Sequence, residues 1–205
     1  MNVFIGLDVS LTSTAICVLG PQGKIVEELQ AESEPEALVR AIGTLPFSIA
    51  AIGLEAGPLS QWLSKGMEEA GFDVVMMETR LVKAALKAMP IKTDRRDAQG
   101  IARLLQMGWY RPVHRKSVSS QEIRALLAAR KSVQQAIINL ELSMRGVLRN
   151  FGLKLGHVTR IRYEARVREL VEQNEILSAS TEALLRARAQ LRAELAELDA
   201  TIADL

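Results

Sequence analysis

The spacing of the apolar residues changes near Pro90, and this change constrains the fold strongly. Before Pro90, short apolar runs of strand length alternate with segments of helical spacing. After it the strand-type runs stop, and apolar residues recur every three or four positions over long stretches. We therefore expect an α/β domain at 1–118 followed by a region of long helices at 119–205.

The order of elements in the first part indicates one type of α/β fold. Strands are predicted at 2–8, 14–19, 24–30, 49–55 and 72–77. Helices are predicted near 36–42, 59–70, 81–88 and 94–107, with Ser33 and Thr93 as N-caps of the first and the last. A three-stranded meander followed by helical crossovers matches an RNase H-like fold, which is a mixed sheet flanked by helices.

Two stretches of the second part have the seven-residue repeat of a coiled coil. One runs from Ile123 to Phe151 and the other from Leu184 to Leu205, with Gly152 and Gly156 between them. The two helices could fold together as an antiparallel hairpin, or two chains could pair. Because the first repeat is the longer, we expect a homo-oligomer through the coiled coil, with Ile137 near its centre.

Charge is distributed unevenly along the chain. Lys and Arg number 6 against 11 Asp and Glu over 1–90, 17 against 5 over 91–168, and 3 against 8 over 169–205. The net charges are therefore −5, +12 and −5, which sum to the overall +2. A basic middle between acidic ends favours a polyanionic partner, DNA or RNA, and the alternative is a solvated basic helix surface.

Two apolar strands end in a carboxylate, Asp8 in the first and Glu55 in the fourth. A carboxylate is unfavourable in a buried strand, although a single one at a strand end is often simply solvated. If both strands lie centrally in one sheet, the two side chains emerge close together and repel each other. A divalent cation would relieve that repulsion.

A further pair of acids, Asp94 and Asp97, lies three residues apart on a predicted helix and so shares one face. They could complement the helix dipole in its first turn, or they could be further metal ligands. Oxygen donors favour Mg²⁺ or Mn²⁺ over zinc. Phosphate-binding charge is expected from the basic residues nearby and downstream: Lys92, Arg95, Arg96, Arg103, Arg111, Arg115 and Lys116.

These motifs resemble the Asp-Glu-Asp-Asp transposases of the insertion-sequence one-ten group, which includes the Piv-type DNA invertases. The resemblance covers about 1–155 and is carried by 6–10, by Glu55 and by 92–105. The last segment, with the pattern K-x-D-x-x-D-A-x-x-I-A-x-L-L, is the most specific.

The resemblance implies a RuvC-like domain in which Asp8, Glu55, Asp94 and Asp97 are the catalytic residues and magnesium ligands. It implies a DNA transposase or site-specific recombinase that acts on phosphodiesters under the direction of a structured guide RNA. The family also has a catalytic serine in a C-terminal domain, and no serine of this chain matches it. Because the second repeat reaches Leu205 without a cap, we expect a chain truncated before that domain and unable to recombine DNA alone.

Three alternatives remain open at this stage. One is a RuvC-like nuclease or resolvase, and another is a non-catalytic nucleic-acid-binding remnant. The third is an actin-like or sugar-kinase ATPase, because 8–14 resembles the first phosphate loop of those enzymes. Their second phosphate loop and glycine-rich adenosine site have no counterpart in the sequence.

Composition narrows the cellular setting. A single cysteine, Cys17, excludes an internal disulfide framework, fits a reducing compartment and lies in an apolar run that predicts burial. No stretch approaches the ~20 apolar residues of a membrane span, and the N-terminus lacks the pattern of a signal peptide. We therefore expect a cytoplasmic protein with no membrane association.

Overall fold

The computed structural model describes residues 1–87 and 93–205. The chain forms two compact units, Met1–Lys116 and Ser117–Leu205. Within the described residues, no helix is both long and apolar enough to cross a bilayer.

The first unit contains the strands and helices expected from the hydrophobic pattern. Its strands are β1 (Asn2–Val9), β2 (Ser13–Leu19), β3 (Ile25–Glu32), β4 (Ser48–Glu55) and β5 (Val74–Met77). Its helices are α1 (Pro35–Gly43), α2 (Ser60–Glu69), α3 (Thr79–Lys87) and α4 (Asp94–Gln106).

All five strands form one mixed sheet in the order β3-β2-β1-β4-β5. Strands β1, β2 and β3 are antiparallel neighbours, whereas β4 is parallel to β1 and β5 is parallel to β4. The meander places β1 at the centre, and the crossovers add β4 and β5 on its other side. The prediction of an RNase H-like α/β fold with a mixed sheet flanked by helices is confirmed.

Alternate residues of the strands build two cores, one on each face of the sheet. On one face Ile5, Leu7 and Leu54 pack with Leu38 of α1 and Leu63 of α2. The opposite face is covered by α3 and α4, through Val82, Ala98, Ile101, Ala102 and Leu105. Helix α4 therefore lies against the central strands. Its N-terminus is near the carboxyl ends of β1 and β4, where Asp8 and Glu55 lie.

A glycine allows α4 to approach the sheet at backbone contact. A Cβ built on Gly6 of β1 would lie 2.2 Å from the carbonyl oxygen of Ala98 and 2.3 Å from the backbone nitrogen of Ala102. Real Cβ atoms essentially never come within 3.0 Å of such atoms. The separation of β1 and α4 is therefore fixed by the absence of a side chain at this position.

One of the two predicted helix caps is wrong. Residue Glu34 is the N-cap of α1 and makes no side-chain capping bond. The Ser33 hydroxyl instead lies 2.8 Å from the Thr14 hydroxyl and donates to the Ser10 carbonyl at 2.8 Å, so it ties the start of α1 to the turn between β1 and β2. The other cap is confirmed, because the Thr93 side chain accepts from the backbone N–H of Arg96 at 3.3 Å.

The second unit is built from three helices, α5 (Val118–Asn150), α6 (Tyr163–Val171) and α7 (Glu175–Ala203). Helices α5 and α7 are antiparallel, since Arg130 near the start of α5 pairs with Asp199 near the end of α7. The short α6 was not predicted from the sequence. Residue Ile137, expected at the centre of a two-chain seam, is 5% exposed within a single chain. The apolar seam of α5 is therefore covered by α7 of the same chain, as in the antiparallel hairpin considered above.

A buried arginine links the three helices of the second unit. The side chain of Arg188 on α7 is 3% exposed, and its Nε lies 2.7 Å from Oε1 of Glu141 on α5. Its Nη1 lies 3.1 Å from Oε1 of Glu164 on α6, and its guanidinium carbon lies 4.4 Å from the ring centroid of Tyr163. The charge thus has carboxylate partners and an aromatic face, as a buried cation requires.

Candidate active site

Two of the predicted acids lie side by side where adjacent parallel strands end. Leu7 of β1 is in register with Leu54 of β4, so the next residues, Asp8 and Glu55, occupy neighbouring positions. Both are partly buried, and the Glu55 side chain is 26% exposed. The carboxyl ends of parallel strands meet at one edge of a sheet, which is why residues 47 apart in sequence are brought together.

The other two acids lie in the first turn of α4. Asp94 is exposed, whereas Asp97 is buried at 9% exposure. Their helix begins with Thr93 as N-cap and is held against β1 at Gly6, so the position of the first turn is set by the sheet. Acids in the first turn also complement the helix dipole, and this role is compatible with a role as metal ligands.

All four acids line one cavity of about 800 Å³. The strand ends contribute Asp8 and Glu55, and the first turn of α4 contributes Asp94 and Asp97. Ser10 and Ser60 belong to the same lining, as do two lysines of α3, Lys83 and Lys87. Sequence reasoning missed these lysines, although their four-residue spacing on a predicted helix was available as a signal.

The donor set of this cavity suits a hard divalent cation. No three His, Cys, Asp or Glu side chains converge to metal-ligating distance within 1–87 and 93–205. Magnesium, however, usually keeps several waters and is bound by one or two carboxylates together with substrate phosphates. Carboxylates distributed around one cavity fit that mode of binding, and they do not fit a closed all-protein cage.

The predicted phosphate-binding residues have different surroundings. Arg111 pairs with Glu78 at 3.2 Å and Arg115 pairs with Glu68, so both engage carboxylates of their own unit. Arg95 borders a second cavity of about 350 Å³ together with Glu28.

The remaining members of that set are placed as follows. Arg96 is exposed on the first turn of α4, and Arg103 is exposed near its end. The backbone N–H of Lys116 donates to Oε1 of Gln61 at 2.9 Å. Lys92 lies outside the described residues.

The cysteine is part of the core and not of the cavity. Cys17 is 1% exposed on β2, which confirms the predicted burial. Burial, followed by the charge of Glu28, raises the pKa of its thiol to about 11, with a smaller opposing effect of Arg103. A thiol with so high a pKa is almost entirely protonated near neutral pH and is a poor nucleophile.

Comparison with known proteins gives relatives and a family. The chain is 26% identical over 161 residues to the transposase for insertion sequence element IS1111A of Coxiella burnetii, which covers 78% of this chain and 42% of that protein. It is 28% identical over 140 residues to y4qE of Sinorhizobium fredii, also named as a transposase, which covers 66% of this chain and 36% of that protein. The chain thus spans less than half the length of these two relatives.

Among solved structures, the chain resembles Thermus thermophilus RuvC in complex with a Holliday junction substrate. The identity is 15%, the TM-score is 0.41, and the likeness covers 55% of this chain and 100% of the RuvC chain. A family model described as Transposase, for the DEDD transposases of IS110 elements, matches residues 5–152. Since that match includes most of the chain, the protein belongs to the IS110 family of DEDD transposases.

Proposed function

We propose that this chain acts on DNA phosphodiesters as part of a transposase or site-specific recombinase, through a magnesium- or manganese-dependent site formed by Asp8, Glu55, Asp94 and Asp97. One observation carries the proposal: in a chain of a transposase family, these four acids line a single cavity. Carboxylates that share one cavity suit a divalent cation, and such a cation can in turn bind an anionic phosphate.

The chain's own groups would have distinct tasks in such a site. Asp8 and Glu55, fixed on neighbouring strands, would hold the metal, and Asp94 and Asp97 would approach it from the first turn of α4. When bound, the metal would polarise the phosphate and stabilise the charge that develops on it. Basic residues around the motif, Lys92, Arg95, Arg96 and Arg103, would bind the adjoining nucleic-acid backbone.

Metal binding tests this proposal directly. We expect millimolar Mn²⁺ or Mg²⁺ to raise the melting temperature of the wild-type chain, because a ligand that binds only the folded state stabilises it. The shift should be lost in Asp8→Asn and Asp97→Asn. It should persist in the control Asp73→Asn, since Asp73 is exposed and does not line the cavity. A shift of equal size in all four proteins would place the metal elsewhere.

Nucleic-acid binding gives a second test. Affinity for DNA, and for a structured guide RNA of the kind implied by the family, should fall steeply with salt as counterions are released. Reversing the charge of Arg95 and Arg96 should weaken binding to every DNA sequence to a similar degree, because phosphate contacts carry no sequence information. An affinity that does not change with salt would exclude a backbone-binding surface.

We also propose that the second unit mediates self-association. The seam of α5 is covered by α7, but Leu127, Ile138 and Leu142 remain 48%, 43% and 57% exposed on another face of α5. These positions share a face at helical spacing, and a second copy of the same surface would cover them. Light scattering should give at least a dimer for the wild type and a smaller mass for Leu142→Asp. A monomeric wild type at tens of micromolar would end this proposal.

A further inference from the structure

Two lysines of α3 face the acidic cavity, and the family motif does not include them. Lys83 and Lys87 are one helical turn apart, and both line the cavity that holds Asp8, Glu55, Asp94 and Asp97. Nζ of Lys83 lies 3.9 Å from Oε1 of Glu55, and its side chain is 71% exposed. An ion pair that is this long and this exposed contributes little to stability, so it does not account for the lysine.

The helix that carries these lysines is firmly attached to the sheet. Val82, adjacent to Lys83 in sequence, is fully buried against Met77 and Ile101, and Leu86 packs against the same cluster. Residues four apart on a helix have Cβ atoms about 5–6 Å apart on one face. The backbone therefore holds both stems at fixed points on the cavity wall, while the ammonium groups can move to meet a ligand.

Charge balance explains why cations are needed at this place. Among residues 1–87 and 93–205, the charged side chains of the cavity lining are the four acids and two lysines, Lys83 and Lys87. A phosphodiester carries about −1 and is repelled by an excess of carboxylate charge. Whatever the number of metal ions bound, the two lysines make the net charge two units more positive and so favour entry of the phosphate.

We propose that Lys83 and Lys87 are positioning residues that bind backbone phosphates of the DNA strand entering the acidic cavity. This inference rests on the proposed function, since it takes DNA as the ligand of the cavity. In contrast to Arg111 and Arg115, which pair with Glu78 and Glu68, the two lysines are directed to the cavity that the acids share. Their spacing lets them contact neighbouring phosphates of one strand.

The test is the salt dependence of DNA binding by the full chain, measured by fluorescence anisotropy on a short labelled duplex with a single-stranded end. Each phosphate contact contributes about 0.7–0.9 to the slope of log K against log salt. The Lys83→Ala/Lys87→Ala variant should therefore have a slope smaller by about 1.4–1.8. Equivalently, the ratio of the wild-type binding constant to that of the double alanine variant should fall about tenfold between 50 and 200 mM salt.

Three controls make the result specific. Lys65→Ala on α2 should leave the slope unchanged, because Lys65 is comparably exposed but pairs with Glu69 outside the cavity. The variant Lys83→Arg/Lys87→Arg should retain the slope, since charge is preserved. Melting temperatures should match the wild type, because both side chains are exposed.

The outcomes separate this inference from the function on which it rests. A steep wild-type slope with an unchanged slope in the double alanine variant overturns the lysine assignment and leaves DNA binding intact. If the double alanine variant keeps the wild-type slope but has an altered Mn²⁺ affinity, Lys83 only neutralises Glu55. That result also overturns the lysine assignment. A wild-type chain that does not bind DNA at 50 mM salt overturns both proposals.

Discussion

Replacement of Gly6 by alanine should separate α4 from the sheet and disturb the acidic cavity. The new Cβ would lie 2.2 Å from the carbonyl oxygen of Ala98, whereas ordinary van der Waals contact begins at 3.4 Å. The two backbones would have to move apart by about 1.2 Å, the difference between these distances. Because the obstructing atoms are backbone, no side-chain rotation can relieve the clash.

The displacement affects both stability and the site. Overpacking of a well-packed core costs about 1–3 kcal/mol, and the backbone clash places Gly6→Ala at the upper end of that range. For a unit of this size we expect a melting temperature lower by roughly 6–12 °C. At the proposed metal site, a shift of about 1 Å between Asp97 and Asp8 should also weaken Mn²⁺ binding and lower the proposed activity by about 100-fold.

Gly53 provides a matched control, because it is the register partner of Gly6 on β4. A Cβ at Gly53 would meet the Met77 methyl carbon at 2.6 Å and Leu105 Cδ2 at 3.3 Å, which are ends of flexible side chains. Differential scanning calorimetry should therefore show a much smaller loss for Gly53→Ala than for Gly6→Ala. Equal melting temperatures for the two variants would refute the argument that α4 is held at backbone contact.

Three further predictions concern other parts of the chain. Arg188→Ala should lower the free energy of unfolding in urea by about 2–3 kcal/mol, because Glu141 and Glu164 lose a buried partner but keep partial access to water; a loss below ~0.5 kcal/mol would contradict this. Because the pKa of Cys17 is raised in the folded state, the folded protein keeps the thiol proton at pH values where the unfolded chain loses it. The free energy of unfolding of the wild type, relative to that of Cys17→Ala, should therefore fall as pH rises from about 9 to about 11. A difference that is flat over this interval would show that the thiol ionises equally in both states. Thr93→Ala should cost ~1 kcal/mol in thermal unfolding, since the backbone N–H of Arg96 loses its cap, and an unchanged melting temperature would show that the cap is not needed.

The sequence predicted those features that depend on local periodicity. Apolar runs of strand length located β1 to β5. The parallel pairing of β1 with β4 was not predicted, since the intervening helix α1 connects β3 to β4. The sequence placed Asp8 and Glu55 at strand ends, and their closeness was expected only if both strands were central in one sheet, a condition that the strand order meets. The cap at Thr93 was also deducible, since its signal is a hydroxyl residue immediately before the helix.

Features that depend on tertiary contacts were not deducible. Ser33 has the residue type of a cap, but its hydroxyl bonds to Ser10, in the turn after β1, and to Thr14 of β2, both distant in sequence. A repeat pattern cannot distinguish pairing within a chain from pairing between chains, so the burial of Ile137 within a single chain was not deducible. The spacing of Lys83 and Lys87 marks them as a pair on one helix face, but only the packing of α3 beside α4 brings them to the cavity.

The arrangement around Arg188 has a consequence for the motions of the second unit. Its partners Glu141 and Glu164 belong to the other two helices, so displacement of any one helix breaks at least one of the two ion pairs of a buried charge. Partial openings that would release α6 or α7 alone therefore carry an electrostatic cost, which couples the three helices. In native-state hydrogen exchange, amides near the middle of all three helices should have similar opening free energies, and fraying should be confined to the far ends of α5 and α7.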